Sequence, residues 1–172
     1  DLIILDREGN KLEGAGEPNG ETPMHTSIYK ARPDVECILH YHPDELVVVA
    51  AAGQEIKVIA NCAVHFHRGT PIYDSPLLIR NHTLGDKVAA TLGDRTAVLL
   101  RGHGGTVVAS NLDMLLRRGV DFVKSARIQI MAAPLGHVKT HSKEECEQMA
   151  AGHDRPDASR RHVDFYISEI FE

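Results

Sequence analysis

The apolar and polar positions of this 172-residue chain form short strand-like runs that alternate with longer helical patterns. The predicted strands are residues 2–5 and 11–13, which form a hairpin around a Gly/Asn turn, then 35–41, 56–60, 63–67, 96–100 and 106–109. The predicted helices are residues 21–32, 44–52, 83–92 and 111–133, with a further helix opening at the capping-box sequence Ser142-Lys143-Glu144-Glu145. The order of elements therefore indicates an α/β fold.

The longest predicted helix begins after Asn111, whose side chain is suited to an N-cap, and ends before Pro134. Its apolar stripe consists of Leu112, Leu115, Leu116, Gly119, Phe122, Val123, Ala126 and Ile130. This stripe faces the core, or a partner where Gly119 permits close approach.

Length and composition predict one domain over residues 1–172, because a chain of 172 residues with 42% hydrophobic content is long enough to bury one substantial core and too short for two comfortable domains. The chain opens on a strand of the hairpin, so we expect a preceding N-terminal segment to be missing from this stretch. The three cysteines, Cys37, Cys62 and Cys146, are far apart and form no C-x-x-C pair. They argue against a disulfide framework and a thiolate zinc site, and they suit a reducing, cytoplasmic location.

Charge and hydropathy exclude two classes of partner. The net charge is −5 with acidic and basic residues interspersed, so no basic stripe is available for nucleic acid. No apolar run approaches the roughly 20 residues that cross a bilayer, which argues against a membrane partner.

Two histidines carry the strongest chemical indication in the sequence. His40 and His42 lie at alternate positions at the end of the apolar run 35–41. Alternate residues of a strand point to the same face, so both imidazoles can bind one cation. The spacing predicts half of a metal site.

His103 and Glu21 are the candidates that would complete such a site. His103 stands among glycines after a buried strand, where it can act as a ligand or simply cap a tight turn. Glu21 opens a predicted helix, where the helix dipole alone would favour a carboxylate. Together with the histidine pair they give three imidazoles and one carboxylate, a donor set that suits Zn²⁺, Mn²⁺ or Co²⁺.

The chain also resembles a known family. The motifs Glu21-Thr22-Pro23-Met24-His25, Tyr29-Lys30-Ala31-Arg32-Pro33-Asp34-Val35, His40-Tyr41-His42-Pro43 and Arg101-Gly102-His103-Gly104 are similar in order and spacing to those of the class II aldolase/adducin family. The resemblance runs from about Leu2 to Met131. It implies a three-layer α/β/α domain with a central, mostly antiparallel sheet, assembled as a homotetramer with active sites between subunits.

The resemblance also implies the roles of the four candidate residues. The positions that match His40, His42 and His103 hold the metal ion, and the position that matches Glu21 is a metal ligand or the catalytic acid/base. The expected activity is that of a metal-dependent lyase acting on a small-molecule carboxylate or sugar.

Two departures from the sugar-phosphate enzymes of the family narrow the expected chemistry. A pair of serines that helps to bind phosphate there is replaced by Asn19 and Gly20. The stretch from Ile59 to Gly69, with Pro71-Ile72-Tyr73-Asp74, Leu77-Leu78-Ile79-Arg80-Asn81, Leu84-Gly85 and Arg101-Gly102-His103-Gly104, is most similar to the branch that decarboxylates hydroxylated aromatic or heteroaromatic acids. We therefore expect decarboxylation of a small hydroxy- or oxo-carboxylic acid through a metal-stabilised enolate. An aldolase or epimerase on a sugar or sugar phosphate, or a non-catalytic scaffold like adducin, is the alternative.

Further residues are candidates for substrate binding. His65 or His67, with Arg68, would line the substrate pocket and pair with a carboxylate, although exposed residues at a strand end or a second metal site would also explain the H-x-H pair. Asn19 and Gly20 would contact substrate in place of the serines. Tyr166 is similar to a C-terminal residue that in relatives reaches a neighbouring subunit, where it could act as an acid or as an interface aromatic.

Overall fold

A four-stranded mixed sheet forms the centre of the protein, whose computed structural model describes residues 2–153 and 156–171. The chain opens with a two-stranded antiparallel hairpin, β1 (Ile4–Leu5) and β2 (Lys11–Glu13). The central sheet contains β3 (Cys37–Tyr41), β4 (Ile72–Tyr73), β5 (Ala97–Leu100) and β6 (Gly104–Ala109) in the order β3-β6-β5-β4. The pairs β3/β6 and β5/β6 are antiparallel and β4/β5 is parallel, so the sheet is mostly antiparallel as expected.

Six α-helices and two short 3-10 helices accompany the sheet in the described part of the chain. The α-helices are α1 (Thr22–Ala31), α2 (Asp44–Ala51), α3 (His82–Leu92), α4 (Leu112–Ala132), α5 (Lys143–His153) and α6 (Pro156–Phe171), and the 3-10 helices are Asn61–Phe66 and Ala133–Leu135. None of the helices in these residues combines the length and the apolar content that crossing a membrane requires.

The sheet is buried on both faces, which confirms the predicted three-layer α/β/α arrangement. Along β5, Ala97 and Leu99 belong to a core with α2 and α4, whereas Val98 and Leu100 belong to a second core with α1 and α3. Successive strand residues point to opposite faces, so a strand buried on both sides has no polar position. All four residues of β5 are accordingly buried.

The helix ends follow the capping chemistry that the sequence indicates. Asn111 accepts a hydrogen bond from the Met114 N–H at 2.8 Å, which confirms the predicted N-cap of α4. Ser142 and Glu145 form the reciprocal capping box at α5, with N–H to side-chain oxygen distances of 2.7 and 3.2 Å. Local sequence therefore determines where these helices begin.

Gly119 permits the close approach that the sequence suggests, and the neighbour is the central sheet. A Cβ at Gly119 would lie 2.7 Å from Leu39 Cδ2 on β3. The Tyr41 hydroxyl of the same strand donates a hydrogen bond to the Gly119 carbonyl at 2.6 Å. Helix α4 is thus held directly on the strand that carries the histidine pair.

The strand predictions for residues 56–60 and 63–67 are wrong. Residues 56–60 form no strand, and Asn61–Phe66 is a 3-10 helix. Ala63, Val64, His65 and Phe66 are all buried because this turn is enclosed by other elements, among them α4 and α5. A short apolar run fits either conformation, so periodicity could not distinguish them.

Candidate metal centre

The ends of two strands and the start of a third meet at one end of the central sheet, which is called its edge below. β3 ends at Tyr41 and β5 at Leu100, while β6 begins at Gly104 between them. Because β6 is antiparallel to both neighbours, this edge holds the C-terminal ends of β3 and β5. The topology brings His103, in the turn after β5, next to the histidine pair at the end of β3.

Gly104 is the residue that lets this turn lie so close to β3. Its φ is 150°, and a Cβ there would lie 2.4 Å from the Tyr41 carbonyl oxygen and 3.0 Å from His42 Cα. Backbone cannot move away as a flexible side chain can, so only glycine fits. The glycine after His103 therefore contributes to the site through its missing side chain.

Glu21 approaches the same edge from α1. It is the N-terminal flanking residue of that helix, but its side chain makes no capping hydrogen bond. Oε1 accepts a hydrogen bond from the Ile79 N–H at 2.8 Å, and Oε2 lies 3.4 Å from His40 Nε2 and 3.3 Å from His103 Nε2. The carboxylate is therefore committed to the histidine cluster and not to its own helix.

The four side chains offer one compact set of donor atoms. One ligand atom from each of Glu21, His40, His42 and His103 lies within 4.8 Å of the others, and the Nε2 atoms of His40 and His42 are 3.0 Å apart. The turn alternative for His103 does not explain this convergence. Three nitrogens and one oxygen at such separations can surround a single divalent ion.

Hydrogen bonding fixes the orientation of the His40 ring, whereas the His103 ring makes no hydrogen bond within the described residues. His40 Nδ1 lies 3.1 Å from both the Gly105 carbonyl and Thr106 Oγ1. Donation from Nδ1 to that carbonyl leaves the Nε2 lone pair directed at the cluster, as in metal-binding histidines. Both ring nitrogens of His103 are buried and make no hydrogen bond within the described residues. A metal ion would bind His103 Nε2, so the four residues fit the divalent ion that they are expected to hold.

The protonation states of His40 and Glu21 are those that a metal site requires. Burial lowers the pKa of His40 to about 4, which keeps its ring neutral near pH 7. Burial acts to raise the pKa of Glu21, but the Ile79 N–H and the nearby His103 and His40 outweigh it and hold that pKa below its ordinary value. A neutral imidazole and an ionised carboxylate both bind metal without first losing a proton.

Comparison with known proteins agrees with this geometry. The model of the class II aldolase and adducin N-terminal domain matches residues 1–130. The chain belongs to this family. Among curated members, it is 32% identical over 145 residues to the 3,4-dihydroxyphthalate decarboxylase of Arthrobacter keyseri, which covers 77% of this chain and 58% of that protein. It thus spans about three fifths of that relative's length.

Other proteins similar to this chain are named as aldolases. The chain is 26% identical over 151 residues to the 5-deoxy-D-ribulose 1-phosphate aldolase of Bacillus thuringiensis, covering 87% of this chain and 70% of that one. An L-fuculose 1-phosphate aldolase structure superposes with a TM-score of 0.81 at 25% identity, over 89% of this chain and 72% of that chain. Family membership therefore includes both decarboxylases and aldolases.

Three predicted substrate residues of this family member lie at the other end of the sheet. The His65 carbonyl accepts a hydrogen bond from Thr96, which precedes β5, whereas the metal cluster follows β5. Four strand residues span about 13 Å. The His65 ring is buried 3.4 Å from Asp121. The structure does not bring His65 to the cluster within one chain.

His67 and Arg68 adjoin His65 and are likewise occupied locally. His67 Nδ1 lies 2.8 Å from the Val64 carbonyl. The Arg68 guanidinium forms an ion pair with Asp94 at the surface. Substrate binding by His65, His67 and Arg68 stays a prediction. Within one chain, these residues do not reach a substrate bound at the metal cluster.

The remaining predicted residues differ in their proximity to the cluster. Asn19 and Gly20 directly precede Glu21, and Asn19 Oδ1 accepts the Glu21 N–H at 2.8 Å. Tyr166 lies half-buried on α6, where burial and the nearby Asp121 carboxylate raise its pKa. Tyr166 therefore neighbours α4 of its own chain, and a role in a partner's site stays a prediction.

Sequence reasoning missed two groups that support the cluster. The Ile79 N–H, which holds Glu21, is a backbone group that no motif reveals. Thr106 lies opposite His40 in the β3/β6 register, a pairing that becomes visible only once the strands are aligned. His25 is in α1, with its ring centroid 6.3 Å from that of His40, and stands outside the four-residue group.

Proposed function

We propose that this chain carries the active site of a metal-dependent carbon–carbon lyase that decarboxylates a small hydroxy- or oxo-carboxylic acid. The observation that carries the proposal is the convergence of Glu21, His40, His42 and His103 within 4.8 Å at the edge of the sheet. Family membership supports an enzyme of the lyase type, since the matched relatives are named decarboxylases and aldolases.

The four residues would hold a divalent ion, with Zn²⁺ or Mn²⁺ as the expected choice and Co²⁺ also compatible. When bound, such an ion supplies Lewis-acid stabilisation of the negative charge that develops on a substrate oxygen. The histidines contribute neutral donors whose rings are fixed by the sheet, and the single carboxylate leaves the centre with a net positive charge. That charge favours an anionic substrate.

Glu21 is the residue that we assign to proton transfer. In the reaction, the bond between the substrate carbon and its carboxylate breaks, and carbon dioxide leaves without the electron pair. The pair stays on the substrate as an enolate, and a proton drawn from solvent is then delivered to the carbon. Glu21 Oε1 is held by the Ile79 N–H and Oε2 faces the cluster, so Oε2 would carry that proton once it leaves the ion.

The residues before Glu21 support an acid over a sugar phosphate as substrate. Asn19 and Gly20 offer no hydroxyl, and the Asn19 side chain is engaged with the Glu21 N–H. The likeness to an aldolase fold keeps aldol cleavage or epimerisation of a sugar phosphate as the second candidate. A scaffold without catalysis would have no need for four converging ligands. Homotetramer assembly stays a prediction from the resemblance, and a cytoplasmic location stays a prediction from the cysteine content.

The test compares carbon dioxide release with aldehyde release. Purified protein is loaded with Mn²⁺ or Zn²⁺ and incubated with 3,4-dihydroxyphthalate or with L-fuculose 1-phosphate, and a chelated sample serves as the blank. We expect metal-dependent carbon dioxide release that Glu21→Gln reduces by about a hundredfold or more. Aldehyde release from the sugar phosphate without carbon dioxide from the acid would replace the proposal by the aldolase. A protein that binds no metal would favour the scaffold.

A further inference from the structure

Arg80 is a cation at the edge of the candidate metal centre that the proposed function does not use. It directly follows Ile79, whose N–H lies 2.8 Å from Glu21 Oε1. Its Nε atom lies 3.9 Å from the position that a Cβ on Gly20 would occupy. The guanidinium therefore lies beside the loop that leads into Glu21.

Arg80 is exposed. Within residues 2–153 and 156–171, no carboxylate or carbonyl accepts a hydrogen bond from its side chain. Arg101, which stands two residues before His103, is instead ion-paired with Asp74. Arg80 is thus a cation near the site that is free to bind an anion.

The surrounding loop favours a carboxylate as that anion. A guanidinium presents two parallel N–H donors that match the two oxygens of a planar carboxylate. A phosphate group would need additional donors, but the N–H groups of Glu21 and Thr22 are already bonded to Asn19, at 2.8 and 2.9 Å. Asn19 and Gly20 add no hydroxyl. The bidentate guanidinium of Arg80 is the group that we expect to bind the anion at this corner.

The physics of decarboxylation decides which carboxylate Arg80 would bind. A guanidinium paired with the departing carboxylate would stabilise the ground state, because that charge leaves the group as carbon dioxide forms. An interaction with a carboxylate that is retained is equally strong before and after bond cleavage and serves only to bind and orient the substrate.

We propose that Arg80 binds a second, retained carboxylate, so that the substrate is a hydroxy- or oxo-dicarboxylic acid. This inference rests on the proposed function for the identity of the site. It adds a residue that determines substrate specificity and a substrate class with two acidic groups. Arg80 is a binding residue in this account and takes no part in proton transfer.

Equilibrium binding to the metal-loaded protein tests the inference. The probes are 3-hydroxyphthalate and 2-hydroxybenzoate, which share an adjacent hydroxyl and carboxylate and differ by one carboxylate, together with inorganic phosphate. The variants are Arg80→Gln and Arg80→Lys. Arg7→Gln, at the exposed turn of the hairpin, removes the same charge elsewhere and is the matched control. Metal content of each variant shows whether the centre is intact.

We expect Arg80→Gln to weaken 3-hydroxyphthalate binding by about tenfold or more, the scale of a charge-assisted contact, and to leave 2-hydroxybenzoate unchanged. Arg80→Lys should restore part of the loss, and Arg7→Gln should have no effect. Equal loss for both hydroxy acids, or a loss confined to phosphate, would overturn the inference. Binding is measured without turnover, so an Arg80-dependent preference in a protein that releases no carbon dioxide would refute only the proposed function. Carbon dioxide release that is indifferent to Arg80 would refute only this inference.

Discussion

Replacing Gly85 by alanine should push helices α1 and α3 apart. Helix α1 positions Glu21, and the Ile79 N–H that binds the Glu21 carboxylate lies just before α3. Gly85 lies in the first turn of α3, and a Cβ there would lie 2.5 Å from the Pro23 carbonyl oxygen and 2.7 Å from Ser27 Oγ, both in α1. The nearest atom is backbone, so the contact can be relieved only by moving one helix. Glu21 precedes α1 and Ile79 precedes α3, so this movement lengthens their 2.8 Å hydrogen bond.

The expected magnitude is the difference between two opposed effects. Overpacking a close helix contact costs about 1–3 kcal/mol. Alanine in place of glycine within a helix contributes up to about 1 kcal/mol in the other direction. Because the contact at 2.5 Å is with backbone, the overpacking cost lies in the upper part of its range, and the Gly85→Ala variant should lose about 1–2 kcal/mol of unfolding free energy. Its metal affinity should fall with the lengthened Glu21 contact.

Two other helical glycines provide matched controls. At Gly152 in α5 a Cβ would meet nothing within 4 Å, so Gly152→Ala should be neutral or slightly stabilising. At Gly119 the close atom is the flexible end of Leu39, so Gly119→Ala should cost less than Gly85→Ala. Denaturant unfolding measures the three free energies, and calorimetric titration measures metal affinity. A Gly85→Ala protein as stable as Gly152→Ala, with unchanged metal affinity, would refute the reasoning.

Three further predictions concern the helix cap, the ring orientation and pH. Asn111→Ala removes the N-cap hydrogen bond from the Met114 N–H and should lower the unfolding free energy by about 1 kcal/mol, measured by denaturant unfolding, with metal affinity unchanged. A variant as stable as the wild type would contradict the stabilising role of this cap. Thr106→Val removes one of two acceptors at His40 Nδ1 and should weaken metal binding by up to about tenfold in calorimetry, whereas unchanged binding would mean that the ring needs only the Gly105 carbonyl. Because burial lowers the pKa of His40 to about 4, the unfolded chain binds more protons there between about pH 6.5 and 4. The metal-free protein should therefore lose roughly 3 kcal/mol of stability as the pH falls through that window, and His40→Gln should flatten the loss; equal slopes would contradict it.

Local sequence patterns predicted most of the elements because helix ends and buried strands depend on nearby residues. Asn111 and the Ser142/Glu145 box mark helix starts through hydrogen bonds within four residues, and the structure contains those bonds. The strand prediction for residues 63–66 was wrong, because four consecutive buried residues fit either a strand or an enclosed turn. The short strand β4 was not predicted, because two residues carry no periodicity.

The candidate site was predicted to the extent that its residues have their own sequence pattern. The alternate spacing of His40 and His42 placed two ligands on one face of a strand. His103 and Glu21 could be chosen only in combination, because each also had an ordinary local explanation. The proximity of Arg80 and the Ile79 N–H to the site could not be predicted, because it depends on a contact between Ile79 and Glu21, which are 58 residues apart in sequence.

The metal content of the purified protein tests the central claim most directly. Elemental analysis of the wild type should find one divalent ion per chain after mild dialysis, and His103→Ala should lose most of it. Replacement of His137, an exposed histidine outside the cluster, should leave the content unchanged. A wild-type protein that carries no ion and takes up neither Zn²⁺ nor Mn²⁺ in titration would contradict the account.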